Sequence, residues 1–322
     1  MNIFQIISEI EKVDPEVYER LDSRRSIFKH MSGLGQKLTA AAIPLALGAV
    51  LNKAYAQTPA GLMVNDVLNF ALSLEYLESY FYQAGQASTV LQAGFSATNK
   101  TALNIIATDE RNHVTFLRSV LGTAAIADPG AATFDFTGGK GSAGGPFTGV
   151  FTVPGIYLAV AQSLEDTGVR AYKGAAPLPS VMANKVVLTA ALNIHSVEAR
   201  HASRLRTMRR GGPMNDRASL AAQTGSLASS PKSWISFKDE GGASPAQTAG
   251  IYNAGNNTGA PAMVTFDAED NVTQGGVNLQ TALVSLGFPA SAFSESFDEA
   301  LDVTTVKTIA RAFVVSSSTF LA

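Results

Sequence analysis

Between residues 64 and 210, apolar positions recur at helical spacing in four windows, each ended by Gly, Pro or polar sequence. The first runs from Val64 to Gln83 and places Leu68, Ala71, Leu72, Ser79 and Tyr82 around Glu75. The second spans Lys100 to Leu121, with Ile106, Glu110, His113 and Leu117 in one stripe. The third opens near Pro154, since proline is tolerated in a first turn, and carries Leu158, Ala161, Glu165 and Val169 before stopping ahead of Pro177. The fourth runs from Pro179 to Arg210, with Ile194, Glu198, His201 and Leu205 aligned, and is closed by Gly211-Gly212-Pro213. This pattern predicts a mainly α protein with a four-helix bundle over 57–212.

The polar residues inside those apolar stripes repeat. Glu110-Arg111-Asn112-His113-Val114-Thr115-Phe116-Leu117-Arg118 and Glu198-Ala199-Arg200-His201-Ala202-Ser203-Arg204-Leu205-Arg206 both read E-x-x-H-x-[S/T]-x-L-R. Upstream of each lies S-L-E-x6-Y: Ser73-Leu74-Glu75 with Tyr82, and Ser163-Leu164-Glu165 with Tyr172. The bundle therefore reads as a duplicated helical hairpin. Residues i and i+3 share a helix face, so each E-x-x-H aims a carboxylate and an imidazole together. In an apolar stripe such groups are costly unless compensated.

One lone Glu and one E-x-x-H from each half make the ligand set of a carboxylate-bridged two-metal site: Glu75, Glu110, His113, Glu165, Glu198 and His201. Four carboxylates and two neutral imidazoles balance two divalent ions. Oxygen and nitrogen donors suit iron or manganese, and also zinc. By the usual geometry Glu110 and Glu198 are expected to bridge, Glu75 and Glu165 to be terminal, and His113 and His201 to serve one metal each. Glu78 shares nearly the same face as Glu75 and is the alternative ligand or an outer-shell group. His195 has no counterpart at Ala107 and is expected to be an ordinary satisfied histidine. Tyr82 and Tyr172 lie on the faces of the lone glutamates, where they are expected to pack or to hydrogen-bond a ligand. Asp109 and Asp166, each beside a candidate ligand, are expected to face away.

The chain has 322 residues, 46% hydrophobic and 16% charged, which fits a globular protein with much buried helix. A net charge of −2 argues against an electrostatic nucleic-acid binder. The absence of cysteine excludes disulfides and thiolate-ligated metal or iron–sulfur centres.

Two flanks differ from the bundle. In 1–56, Ser23-Arg24-Arg25-Ser26-Ile27-Phe28-Lys29 matches the twin-arginine export signature. An uncharged run from Leu38 to Asn52 follows, then the small-x-small Ala54-Tyr55-Ala56. This predicts export to the periplasm or the extracellular space, and the apolar run is too short for a stable membrane span. The Gly- and Phe-rich stretch from Ala125 to Phe151 is a long crossover between the hairpins, not a phosphate loop. Residues 213–322 are rich in Ser, Ala, Gly and Asn. They are expected to pack on the bundle, with short helices at Val277–Leu286 and Val303–Val315, the latter capped by Asp302.

The motifs also carry a resemblance. The run from Leu68 to Glu78 with Tyr80-Phe81-Tyr82, Leu164-Glu165-Asp166 with Tyr172, and Ser196-Val197-Glu198-Ala199-Arg200-His201-Ala202 resemble helices of the ferritin-like superfamily. Within it they are similar to the ferritin-like proteins that include plant desiccation-related proteins and exported bacterial relatives; Phe297-Asp298-Glu299 is similar to that family's ending. The resemblance implies a ferritin-like bundle with a di-iron or di-manganese centre. Three functions follow as expectations. The leading one is an exported metalloprotein that handles peroxide or oxygen, or oxidises bound metal. Its alternative is a metal-stabilised structural or stress-protective protein without turnover. A storage cage is disfavoured, because crossover and tail would obstruct shell packing, although a smaller homo-oligomer is allowed.

Overall fold

The computed structural model describes residues 63–142, 144–211, 231–238, 245–258 and 264–322. The segment 1–56, with its expected export signal, lies outside them. The bundle consists of α1 (Val64–Ala87), a short α2 (Thr89–Ala93), α3 (Ala97–Leu121), α4 (Pro154–Ala175), a single turn α5 (Pro179–Met182) and α6 (Lys185–Arg209). Local chemistry sets the ends. The side chains of Ser96 and Asn184 accept the N–H groups of Asn99 and Val187 at the starts of α3 and α6. Pro154 occupies the first turn of α4. The expected single helix from Pro179 is split, because Asn184 leaves the helical region (φ −110°, ψ 93°) and caps α6 afresh.

Within each hairpin the long helices pack along their lengths, α1 with α3 and α4 with α6, and the hairpins meet chiefly through α1 and α4. The core between them is fully dry at Leu72, Phe81, Val160 and Leu205. Phe81 stacks on Tyr157 with ring centroids 4.8 Å apart, which ties α1 to α4. From Tyr157 to Arg170, α4 is buried without a break. A helix buried all round must be covered on every side. Here α6 and α1 cover two sides, and the C-terminal helices Pro245–Tyr252 and Val303–Ala310 cover the remainder.

The crossover is held by its aromatics and by one aspartate. Phe134 and Phe136 stack together, and Phe147 stacks on Phe313 near the C-terminus. Asp135 Oδ1 accepts from the Thr137 N–H at 3.0 Å, and Oδ2 accepts from the Gly141 N–H at 2.7 Å. A Cβ on Gly145 would sit 2.2 Å from the Thr137 carbonyl oxygen, so only glycine lets the two arms of this loop approach.

The extension contributes α7 (Pro245–Tyr252), β1 (Thr273–Gln274), β2 (Val277–Asn278), α8 (Leu279–Ala282), α9 (Ala290–Ser294) and α10 (Val303–Ala310). The helix expected over Val277–Leu286 is largely replaced. Gly275 and Gly276 both take positive φ and turn the chain so that Thr273 pairs with Asn278 and Gln274 with Val277. What remains helical is α8 and a 3₁₀ turn at Val284–Leu286. The last helix opens as the sequence predicts, with Asp302 Oδ1 accepting from the Thr305 N–H at 2.9 Å. It stops at Ala310 instead of Val315, because Val314 is drawn into a bridge with Phe134 of the crossover.

Arg170, fully buried on α4, docks the extension. It pairs with Glu269 at 2.8 Å. It also donates to the carbonyls of Ile251, Asn253, Asp267, Glu299 and Ala300. One turn on, Gly174 admits the Leu301 carbonyl oxygen to 2.1 Å from where a Cβ would stand. No described helix is long and apolar enough to cross a membrane.

Candidate metal centre

Glu75 comes from α1, Glu110 and His113 from α3, Glu165 from α4, and Glu198 and His201 from α6. Each lies on its helix's inward stripe, so packing the two hairpins brings all six together. The four carboxylates are 0% exposed, with His113 at 9% and His201 at 5%. Their donor atoms form two groups, Glu75, Glu110, His113 and Glu198, and then Glu110, Glu165, Glu198 and His201. Within each, one atom per residue lies within 4.8 Å of the others. Glu110 and Glu198 belong to both groups.

The imidazoles turn the same nitrogen inward. His113 Nδ1 lies 3.1 Å from Glu75 Oε2, 3.3 Å from Glu110 Oε2 and 3.3 Å from Glu198 Oε1. His201 Nδ1 lies 2.9 Å from Glu110 Oε1 and 3.2 Å from Glu165 Oε2. Proximity does not satisfy every oxygen. Glu110 Oε1 and both oxygens of Glu198 have no hydrogen-bond partner, the imidazole contacts of Glu110 Oε1 and Glu198 Oε1 lying off the donor directions.

Crowding of this kind moves protons. Burial, then repulsion from Glu165, pushes Glu110 up to about 7, against the opposing pull of both histidines. Burial and Glu110 raise Glu198 well above the usual carboxylate range. Burial tends to raise Glu165 too, but His201 outweighs it and holds that carboxyl below its usual value. Burial acts downward on both imidazoles, and the carboxylates around them overcome it. His201 rises to about 12 through Glu165 and Glu110, and His113 rises further through Glu110, Glu198 and Glu75.

Around the donors, the tyrosines are hydrogen-bonded partners and not mere packing. Tyr82 on α1 donates to Glu165 Oε1, and Tyr172 on α4 donates to Glu75 Oε1. Glu78 is buried at 3% exposure but belongs to neither four-donor group. His195 donates from Nδ1 to the Val169 carbonyl at 3.0 Å, outside the cluster. Asp109 corrects the expectation that it faces away: its Oδ2 lies 3.2 Å from His201 Nε2. Asp166 faces away from the donors but into a buried network, gripped by Arg206 at 2.8 and 2.5 Å and by the Tyr252 hydroxyl at 2.6 Å. No sequence signal marks the Asp109 contact, because it crosses from one hairpin to the other.

The residues fit divalent cation binding. Three orphaned carboxylate oxygens at the centre of a buried, acceptor-rich cluster would each leave a desolvation penalty that a cation removes. The donor set, carboxylate oxygen and imidazole nitrogen, is compatible with divalent metal binding.

Fold and cluster together define a helical bundle with inward Glu and His donors drawn from four helices. Residues 64–210 match the family model for the ferritin-like domain, and the bundle they form is a ferritin-like one. Searches of curated proteins and of solved structures each found no match.

Proposed function

We propose that this chain is an exported ferritin-like protein, akin to the desiccation-related group, that holds two iron or manganese ions and acts on peroxide or oxygen, or oxidises metal. The observation that carries the reading is the pair of four-donor groups sharing Glu110 and Glu198, with the unpartnered oxygens on those two residues. In it, Glu75 and His113 would hold one cation and Glu165 and His201 the other, with Glu110 and Glu198, which belong to both donor groups, available to each. Bound there, two redox-active ions would supply two-electron exchange with peroxide or oxygen. Tyr82 and Tyr172 fix the terminal glutamates, and the complete burial of the four carboxylates keeps bulk water from the donors. Export rests on the Arg24-Arg25 signature and the apolar run after it.

The test is metal analysis of the purified chain, with peroxide- and oxygen-consumption assays after iron or manganese loading. Two bound ions and turnover are expected. Absence of a dinuclear centre ends the reading. A second reading, a cation pair that only staples the bundle, is favoured by the complete burial of all four carboxylates. It predicts a large metal-dependent rise in Tm with consumption at background.

A further inference from the structure

The repeat that builds the centre is broken at one position next to it. In the first copy Glu110 is preceded by Asp109; in the second, Glu198 is preceded by Val197. Asp109 reaches across to the other hairpin, where its Oδ2 lies 3.2 Å from His201 Nε2. His201 is thereby held from both ends, Nδ1 toward Glu110 and Glu165 and Nε2 toward Asp109. His113 also turns Nδ1 inward, but no described carboxylate lies within ion-pair distance of its Nε2. The residue placed by the repeat to serve it is Val197, whose side chain has no acceptor.

We propose that Asp109 is a positioning residue that makes the Glu165–His201 half of the centre the tighter of two unequal cation sites. A carboxylate accepting the Nε2–H fixes the tautomer in which the Nδ1 lone pair points at the cation, holds the ring plane, and makes that nitrogen a stronger donor. The Glu75–His113 half has no such carboxylate at its Nε2 among the described residues. The inference rests on the dinuclear reading above. It adds that the two ions load in order, the first beside His201, so that a half-loaded protein has a defined composition.

The experiment is a titration of metal-free full chain with cobalt(II), followed by calorimetry and by the visible ligand-field bands. The wild type is expected to bind two ions in resolved steps differing by about 10–100-fold, the size of effect that loss of an outer-shell partner has on metal affinity. Asp109→Asn, close in shape to the native side chain, is expected to weaken the tight step to near the weak one while two ions still bind. Val197→Asp is expected to strengthen the weak step. Circular dichroism of each metal-free variant establishes that the bundle is intact. Two equal steps in the wild type, or an Asp109→Asn protein with an unchanged ratio, overturn the inference while leaving the dinuclear reading standing. No cobalt bound at all removes both.

Discussion

The hydroxyl of Tyr172 on α4 donates to Oε1 of Glu75 on α1, and the bond is returned in mirror fashion by Tyr82 on α1 to Glu165 on α4. Each hairpin thus orients the other's lone glutamate. Burial, then the neighbouring carboxylates, raises both phenols well above their ordinary value, so each stays protonated and can only donate outward. Tyr→Phe at either position leaves a buried acceptor without its donor, which costs about 1–3 kcal/mol in the metal-free protein. In the metal-loaded protein the same change is expected to weaken binding by about 10–100-fold through loss of glutamate orientation. Chemical denaturation and metal titration of the two variants check this. Tyr82→Phe or Tyr172→Phe proteins indistinguishable from wild type in both measurements would mean the tyrosines are packing alone.

Glu110 and Glu198 should behave differently from the terminal pair. Each belongs to both four-donor groups, so Glu110→Ala or Glu198→Ala is expected to reduce bound metal from two ions toward none, whereas Glu75→Ala or Glu165→Ala should spare one ion. Removing a carboxylate also relieves repulsion in the metal-free cluster, so the metal-free Tm of Glu198→Ala should equal or exceed that of wild type while its metal-dependent gain vanishes. Stoichiometry by elemental analysis, paired with Tm with and without metal, reads both effects. Equal metal loss from all four variants would contradict the shared role of Glu110 and Glu198.

These donors were legible in the sequence because three regularities coincide on them: helical period, an apolar stripe, and a repeat that places the same residue types in both halves. The Tyr82 and Tyr172 positions were visible for the same reason, although not which glutamate each would serve. Asp109 was not legible, since its partner His201 lies on the other hairpin and the repeat offers Val197 in its place. The docking of the extension was hidden more deeply. Arg170 is recognised there mostly by backbone carbonyls, of Ile251, Asn253, Asp267, Glu299 and Ala300, and a carbonyl carries no residue identity. Gly275-Gly276 marks a loop in the sequence, but the apolar spacing from Val277 onward imitates a longer helix than the paired strands and the short α8 that form there.

Arg170 gives a test of how the extension is held. The side chain is fully buried, paired with Glu269, and surrounded by acceptors that match its donors. Arg170→Met keeps the volume but leaves buried Glu269 without its cationic partner and several carbonyls without their donor, which is expected to cost about 3–5 kcal/mol. Gly174→Ala attacks the same joint sterically, because its Cβ would meet the Leu301 carbonyl oxygen at 2.1 Å. Both variants should expose the extension to limited proteolysis before the bundle helices are cut. Cleavage patterns unchanged from wild type would show that the extension is anchored elsewhere.

Proton linkage separates the metal-free from the metal-loaded protein. In the metal-free cluster both imidazoles are raised, His201 to about 12 and His113 further, against an unfolded value of about 6.5. A group raised on folding contributes stability that is fully present below its unfolded value and is lost as pH rises through its folded value. The histidines therefore favour the folded metal-free protein on the acidic side and progressively less above about pH 6.5. Cation binding requires neutral imidazoles and ionised carboxylates, so it must expel those protons, together with whatever Glu110 and Glu198 retain. Loading both ions at pH 7 should release about two protons or more, seen as a dependence of the calorimetric enthalpy on buffer ionisation heat. The metal-induced rise in Tm should accordingly grow as pH is raised from about 5 to 8. A rise independent of pH, with no proton release, would mean that the cations are held somewhere other than among these six side chains.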